Sequence, residues 1–396
     1  MDTSIPYDHV HFSLSISTWL HNSPTCTKSI DRLSDYWITL PEILNSFGFS
    51  TAAFTDGKLL GSVYNFDQGF DICDDSGGHI EKIAQKAIQW LKNNHSDRPF
   101  FLFMHCYDVH KYSPPENLEK MFAEEYKGKL LKFRKSGNKL DKRVSANSFY
   151  SLSDSDIKYL KNLYDAEIYL TDREFGKVLD YLRKENLYEN TIIIVTSDHG
   201  EEFWEHKGTG HGWSLHQHQL KVPLIIKSST FSRPGRAIQE WVGIIDIVPT
   251  ILDILGIPIP SEFQGISLLQ LIEKNKYRER SFVAEASLLG NQKCLIKNGY
   301  SFLFNQFPPI GEDIFNWKRF LYVWRNIMQF SGNELYCLTD DPSETVNVIS
   351  RDPDLSDEMK TILLKEVKNN LSLGTKFSSK NKGTFKIFRI YKVRHL

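Results

Sequence analysis

Residues Thr191 to Glu201 read TIIIVTSDHGE. The first six are all β-branched and uncharged, and the run breaks into polar residues at Ser197. Such a run fits a strand buried on both faces, as in a parallel sheet covered by helices. Open α/β sheets bind ligands beyond the carboxyl ends of their strands. Asp198 and His199 therefore stand where a site belongs. A carboxylate beside an imidazole can give two ligands to one divalent ion, and Gly200 is read as the turn that lets both face it. The same residues also allow an Asp capping a following helix, with an incidental His.

Downstream come Glu205-His206, Gly210-His211-Gly212 and a strand-like VPLII at 222–226. Five histidines fall between positions 199 and 218, far above chance. Glycines on both sides of His211 suggest a loop whose backbone approaches something closely. His216 and His218 read as a surface pair, and His206 as a structural partner. Upstream, Asp154 to Asn186 reads as one long helix. Before it, FFLFMH (100–105) reads as a second buried strand, followed by His105, Asp108, His110 and the pair Pro114-Pro115. Two strand ends rich in His and Asp make a cleft suited to an anion.

The rest of the chain fits this frame. LPEILNSFG is helix-like, FSTAAF (49–54) strand-like, and His79 to Asn94 carries apolar residues at helical spacing. Residues 116–150 read as a charged, irregular excursion. Ile244 to Leu255 is a helix stopped by Gly256. Strands alternating with helices predict an α/β sheet that is largely parallel. After residue 278, SFVAEAS, KCLIKNGYSFLFN and NELYCLTD predict a smaller antiparallel subdomain. The expected division is 1–277, 278–350, and a helical segment with a basic tail at 351–396. That tail holds seven Lys/Arg and no acid from Thr375 onward, and reads as a solvated tail or a surface-binding arm.

With 41% apolar and 13% aromatic residues, the chain can bury a sizeable core. Lys plus Arg is 48 against 49 Asp plus Glu, so no global charge draws it to nucleic acid or an anionic membrane. The cysteines at 26, 73, 106, 294 and 337 form no CxxC pair, which argues against a cysteine zinc site and suits reduced thiols. No apolar run approaches the roughly 18 residues of a membrane span, and the head has no leader pattern, so a cytoplasmic address is expected.

These motifs resemble the sulfatase branch of the alkaline-phosphatase-like metallohydrolases. SDHGEEFWEH with GHGWSLHQHQLKVPLII is similar to the family's metal-binding segment, and FLFMHCYDVHKYSPP to its strand and D-x-H loop. YDAEIYLTDREFGKVLDYLRKENLYENTIIIVTSDHG, VGIIDIVPTILDILGIPIPSEFQGISL, ELYCLTDDPSETVNV, ITLPEILNSFGFSTAAF and FDQGFD also match in order, over roughly residues 36–350. The resemblance implies a three-layer α/β/α fold with a small C-terminal β subdomain, and hydrolysis of an anionic ester of a small molecule or glycan, a sulfate ester foremost. It implies one divalent metal on Asp198 and His199: calcium first, with manganese, magnesium or zinc as alternatives. It also implies that His110 and His211 contact the ester oxygens and that one of them protonates the leaving group. His105 and Asp108 are further candidates.

The family's N-terminal part contains a strand ending in D-T-L-R-x-D and a nucleophile in C/S-x-P-S-R or a Thr/Ser version. Only 38 residues precede Thr39, too few for both elements. In one placement HFSLSISTWLHNSP follows the nucleophile, making Ser4 or Thr3 the candidate; a gapless register puts Tyr7 there. In the other, Asp2-Thr3 and Asp8-His9 mimic the metal element, SIDRL (29–33) its downstream partner, and the nucleophile segment is deleted. The first is the better continuation into LPEIL. Cys26 lacks the Pro and Arg of a formylglycine motif. The expectation is a chain without the first strand and with feeble activity. The rivals are a phosphodiesterase or phosphotransferase of the same superfamily, and an inactive relative that binds an anionic glycan or a partner.

Overall fold

The computed structural model describes residues 11–15, 33, 35, 37–57, 60–94, 98–131, 152–212, 214–261, 263–286, 291–306 and 332–378. The first strands are β1 (His11–Ser15), β2 (Ser50–Thr55), β3 (Ile72–Asp74), β4 (Phe100–His105) and β5 (Thr191–Thr196). A short ribbon, β6 (Glu202–Phe203) with β7 (Thr209–Gly210), precedes β8 (Leu224–Lys227). The main sheet has the order β3-β2-β4-β1-β5-β8. All its neighbours pair in parallel except β5 and β8, which are antiparallel. VPLII is thus an antiparallel edge in an otherwise parallel sheet.

The expected absence of a first strand is corrected. β1 fills the centre of the sheet, with Ser13 opposite Leu102 of β4 on one side and Ile193 of β5 on the other. Five residues of extended chain suffice, because both flanking strands supply hydrogen-bond partners.

Side chains alternate strictly across the sheet. Phe100, Leu102, Met104 and Ile193 pack against helices α2 (His79–Asn94) and α4 (Asp154–Lys184). Phe101, Ile192 and Ile194 pack on the other face, against α1 (Leu40–Ser46), α6 (Ile247–Ile254) and α7 (Leu269–Lys274). These are the three layers that the sequence predicts. Local chemistry starts the helices. Thr39 and Glu42 form a reciprocal capping box at α1, and Ser153 and Asp156 form another at α4. The described part of the excursion, up to residue 131, is more ordered than expected. It opens with α3 (Glu116–Ala123), whose buried Leu118 and Ala123 give it an apolar side.

The second sheet is β9 (Phe282–Ala286), β10 (Asn291–Lys297), β11 (Tyr300–Gln306) and β12 (Glu334–Cys337), antiparallel throughout in the order β12-β11-β10-β9. One face is covered by α8 (Pro353–Ser378) through Met359 and Leu363. The other meets Leu215 and Leu220, the latter the last residue of the one-turn helix α5 (Gln217–Leu220). The small sheet therefore packs on the loop that carries the histidines. Among the described residues, no helix is long and apolar enough to cross a membrane.

Candidate active site

β4 and β5 run side by side with β1 between them, so the loops after His105 and Thr196 leave the same edge of the sheet. A cavity of about 310 Å³ opens there, lined by Tyr107, His110, Ser197, Asp198, His199 and Glu201, with Met104, Ile168 and Phe175 as apolar wall. No helix follows Asp198, which removes the helix-cap reading; its Oδ1 accepts the His199 N–H at 3.0 Å. His199 Nδ1 lies 2.8 Å from the Gly200 carbonyl. A carbonyl only accepts, so Nδ1 carries the hydrogen and Nε2 presents a lone pair. That Nε2 is 3.5 Å from Asp198 Oδ2, a separation two ligands of one ion can occupy. A carboxylate oxygen and an imidazole nitrogen so placed fit a divalent metal.

Gly200 is needed for space. A Cβ there would stand 2.1 Å from the His218 carbonyl oxygen, while the Gly200 N–H donates to Gln219 at 2.8 Å. On either side of His211, Gly210 and Gly212 adopt φ of 85° and 81°, the left-handed region that favours glycine.

His211 is buried, and its Nδ1 is 2.6 Å from Glu201 Oε2. Glu201 Oε1 accepts from the Tyr112 hydroxyl. Burial pushes the Glu201 carboxyl up to about 7, against the Tyr112 hydrogen bond that favours its charge. The ligand atoms of His199, Glu201 and His211 lie within 4.8 Å of one another. Ring centroids of His211 are 4.0 Å from His199 and 4.7 Å from His110. Asp198, His199, His110 and His211 thus come together at one place. Glu201 is the residue the sequence reading missed. Its signal was present, as a carboxylate directly after the Asp-His-Gly turn.

The other expected residues fare differently. Asp108 serves α2: its oxygens take the Ile80 N–H at 2.8 Å and His79 Nδ1 at 2.7 Å. His105 is buried, with no hydrogen-bond partner for either ring nitrogen among the described residues, and desolvation drives its pKa down to about 3. It packs edge-on against Tyr107, with centroids 4.5 Å apart. His216 and His218 are no surface pair, since their side chains are only 1% and 11% exposed. Thr3, Ser4, Tyr7, Asp2, Asp8, His9, Cys26 and residues 29–32 lie outside the described residues, as does the basic tail beyond 378.

The sulfatase family model matches residues 7–257. The chain belongs to the sulfatase family. Rat arylsulfatase K is 26% identical over 292 residues, covering 69% of this chain and 50% of the relative, so the match spans about half of that protein's length. A structure solved with its substrate D-glucosamine-2-N,6-O-disulfate superposes with a TM-score of 0.57 at 18% identity, covering 85% of this chain and 83% of the other. The phosphonate monoester hydrolase of Agrobacterium radiobacter gives 0.59 at 17% identity, covering 87% and 81%. At these identities the structural likeness establishes the fold. Members of the sulfatase family generally use a divalent metal, in accord with the donors at Asp198 and His199.

Proposed function

We propose that the cleft at the ends of β4 and β5 hydrolyses a sulfate ester of a small molecule or glycan. The observation that carries the reading is that Asp198, His199, His110 and Glu201 line one cavity, with His211 packed on the His199 and His110 rings and hydrogen-bonded at 2.6 Å to the buried Glu201. Asp198 Oδ2 and His199 Nε2 would hold the divalent ion, calcium by family likeness. When bound, the ion supplies positive charge that polarises the ester's oxygens. His110 stands across from His211 and can donate to the same oxygens. Glu201 fixes the His211 ring, so that Nε2 faces the ester and protonates the leaving oxygen. The nucleophile bonds to sulfur as the S–O ester bond breaks and the leaving oxygen takes that proton; the nucleophile's own proton restores His211, and water then releases sulfate and regenerates the nucleophile. Ser4 and Thr3, the candidates from the sequence, come before β1, whereas the cleft lies beyond its carboxyl end, so neither is assigned as the nucleophile.

One observation favours a second reading, a relative that binds the anionic ester without turning it over. β1 runs parallel to β4 and β5, so the chain after Ser15 leaves at the edge that bears Asp198. From Ile16 to Ile30 there is no Asp or Glu, and hence no further carboxylate for the metal in that stretch. A hard cation held by few oxygens binds weakly. Turnover of an aryl sulfate and of a bis-aryl phosphate by the full chain, beside its Asp198→Asn and His211→Asn forms, separates the cases. Sulfate turnover lost in both variants supports the proposal. Faster phosphate turnover moves the substrate class. Saturable binding of a sulfated ligand without turnover establishes the second reading.

A further inference from the structure

The loop between β5 and β8 carries a second histidine cluster that the proposed hydrolysis does not use. His206 Nε2 lies 2.8 Å from the Glu344 carbonyl oxygen, His216 Nε2 3.1 Å from Glu334 Oε2, and His218 Nε2 3.3 Å from Glu202 Oε2. Each of these oxygens is an acceptor. In each ring Nε2 therefore carries the hydrogen, and Nδ1 is the nitrogen with the lone pair. Yet the Nδ1 atoms of His206 and His218 approach to 3.2 Å. Two lone pairs face each other at that distance only with a cation between them. The ligand atoms of all three rings lie within 4.8 Å of one another. A histidine whose outer nitrogen is held by a carboxylate or carbonyl, with its inner nitrogen turned to a common point, is the arrangement of metal-ligating imidazoles.

We propose that His206, His216 and His218 bind a d-block dication, zinc by preference, with Glu202, Glu334 and the Glu344 carbonyl as the outer partners that orient them. Three neutral imidazoles suit zinc, copper or nickel and poorly suit calcium or magnesium. The rings of His206 and His216 are stacked, with centroids 3.8 Å apart and 11° between planes. In-plane lone pairs of stacked rings run parallel, so one of the two tilts when the ion binds. The site links the loop bearing His211 to the C-terminal sheet, because Glu334 lies on β12 and the carboxylate of Glu344 accepts the Gln217 N–H at 2.6 Å. The ion would clasp these two parts of the fold.

The test is independent of hydrolysis. The full chain, stripped with a chelator, is titrated with Co²⁺ and read by visible absorption. The expected result is one equivalent giving the intense d–d bands of a four-coordinate, nitrogen-ligated centre, displaced by Zn²⁺. Asp198→Asn keeps these bands, whereas His216→Gln and His218→Gln lose them. Glu334→Gln lowers Zn²⁺ affinity by roughly 10–100-fold, the usual effect of removing an outer partner. Should the histidine variants fail to fold, the spectrum of the unaltered chain decides. A wild-type chain without such bands overturns the proposal and leaves a shared proton as the cation. Bands that survive both histidine variants, or vanish in Asp198→Asn, overturn it as well.

Discussion

Two groups of histidines lie within twenty residues of chain, and packing gives them opposite characters. His199, with His110 from the neighbouring loop, borders a cavity open to a ligand, and His211 packs against both rings. His206, His216 and His218 lie against the C-terminal sheet and are tied to Glu202, Glu334 and Glu344. Residue type does not separate them. What separates them is which side of the loop meets the edge of the main sheet and which meets Leu338 and Tyr336 of the smaller one. On the proposed reading, the first group serves chemistry and the second holds the fold together.

Substitutions that act on one group and spare the other sharpen this contrast. The largest effect is expected at the cleft. His211→Ala should lower kcat for an aryl sulfate by roughly 10²–10⁴-fold, the usual worth of a positioned acid, with no change in Zn²⁺ binding by the other group. Glu201→Gln should cost a smaller share of that factor, in kcat more than in KM, because Glu201 acts through the His211 ring. An equal loss of activity in His216→Ala would erase the distinction between the groups.

Stability should respond in the opposite order. His216→Ala opens a buried cavity and removes one partner of the Glu334 carboxylate, which keeps those from Tyr336 and Asn305, at a cost of about 2 kcal/mol by chemical denaturation. His110→Ala, at a half-buried position, should stay within about 1 kcal/mol. The effect confined to acid pH concerns His105, whose burial lowers its pKa from 6.5 to about 3. The unfolded chain takes up a proton there below about pH 6.5 and the folded chain does not. This residue therefore favours the unfolded state progressively as pH falls from 6.5 toward 3. His105→Leu should remove that slope, gaining on the order of 2 kcal/mol at pH 4.5 relative to pH 7.5. An unchanged pH slope would mean that His105 is solvated.

Much of this contrast was hidden in the sequence, for definite reasons. TIIIVT and FFLFMH announced themselves as buried strands because uncharged apolar runs leave few other options, and Asp198, His199 and His110 followed from their ends. β1 was missed because HFSLS alternates polar and apolar residues and draws its pairing from strands about 90 and 180 residues away. The reversed direction of β8 is likewise invisible locally, since an apolar run does not encode parallel or antiparallel pairing. The burial of His216 depends on Glu334, 118 residues further along the chain. Asp108 misled because a carboxylate that caps a helix from a distant loop has the same one-letter pattern as one that faces a substrate.

The central claim is that the Asp198 cleft is where this chain meets and cleaves its ester. Its most direct test is the initial rate of aryl sulfate hydrolysis by the full chain, before and after chelation, with divalent ion restored, alongside Asp198→Asn. The account predicts turnover that falls on chelation, returns with calcium, manganese or magnesium, and is lost in Asp198→Asn while the Co²⁺ bands of the histidine site persist. A metal-dependent rate that Asp198→Asn leaves intact would contradict it.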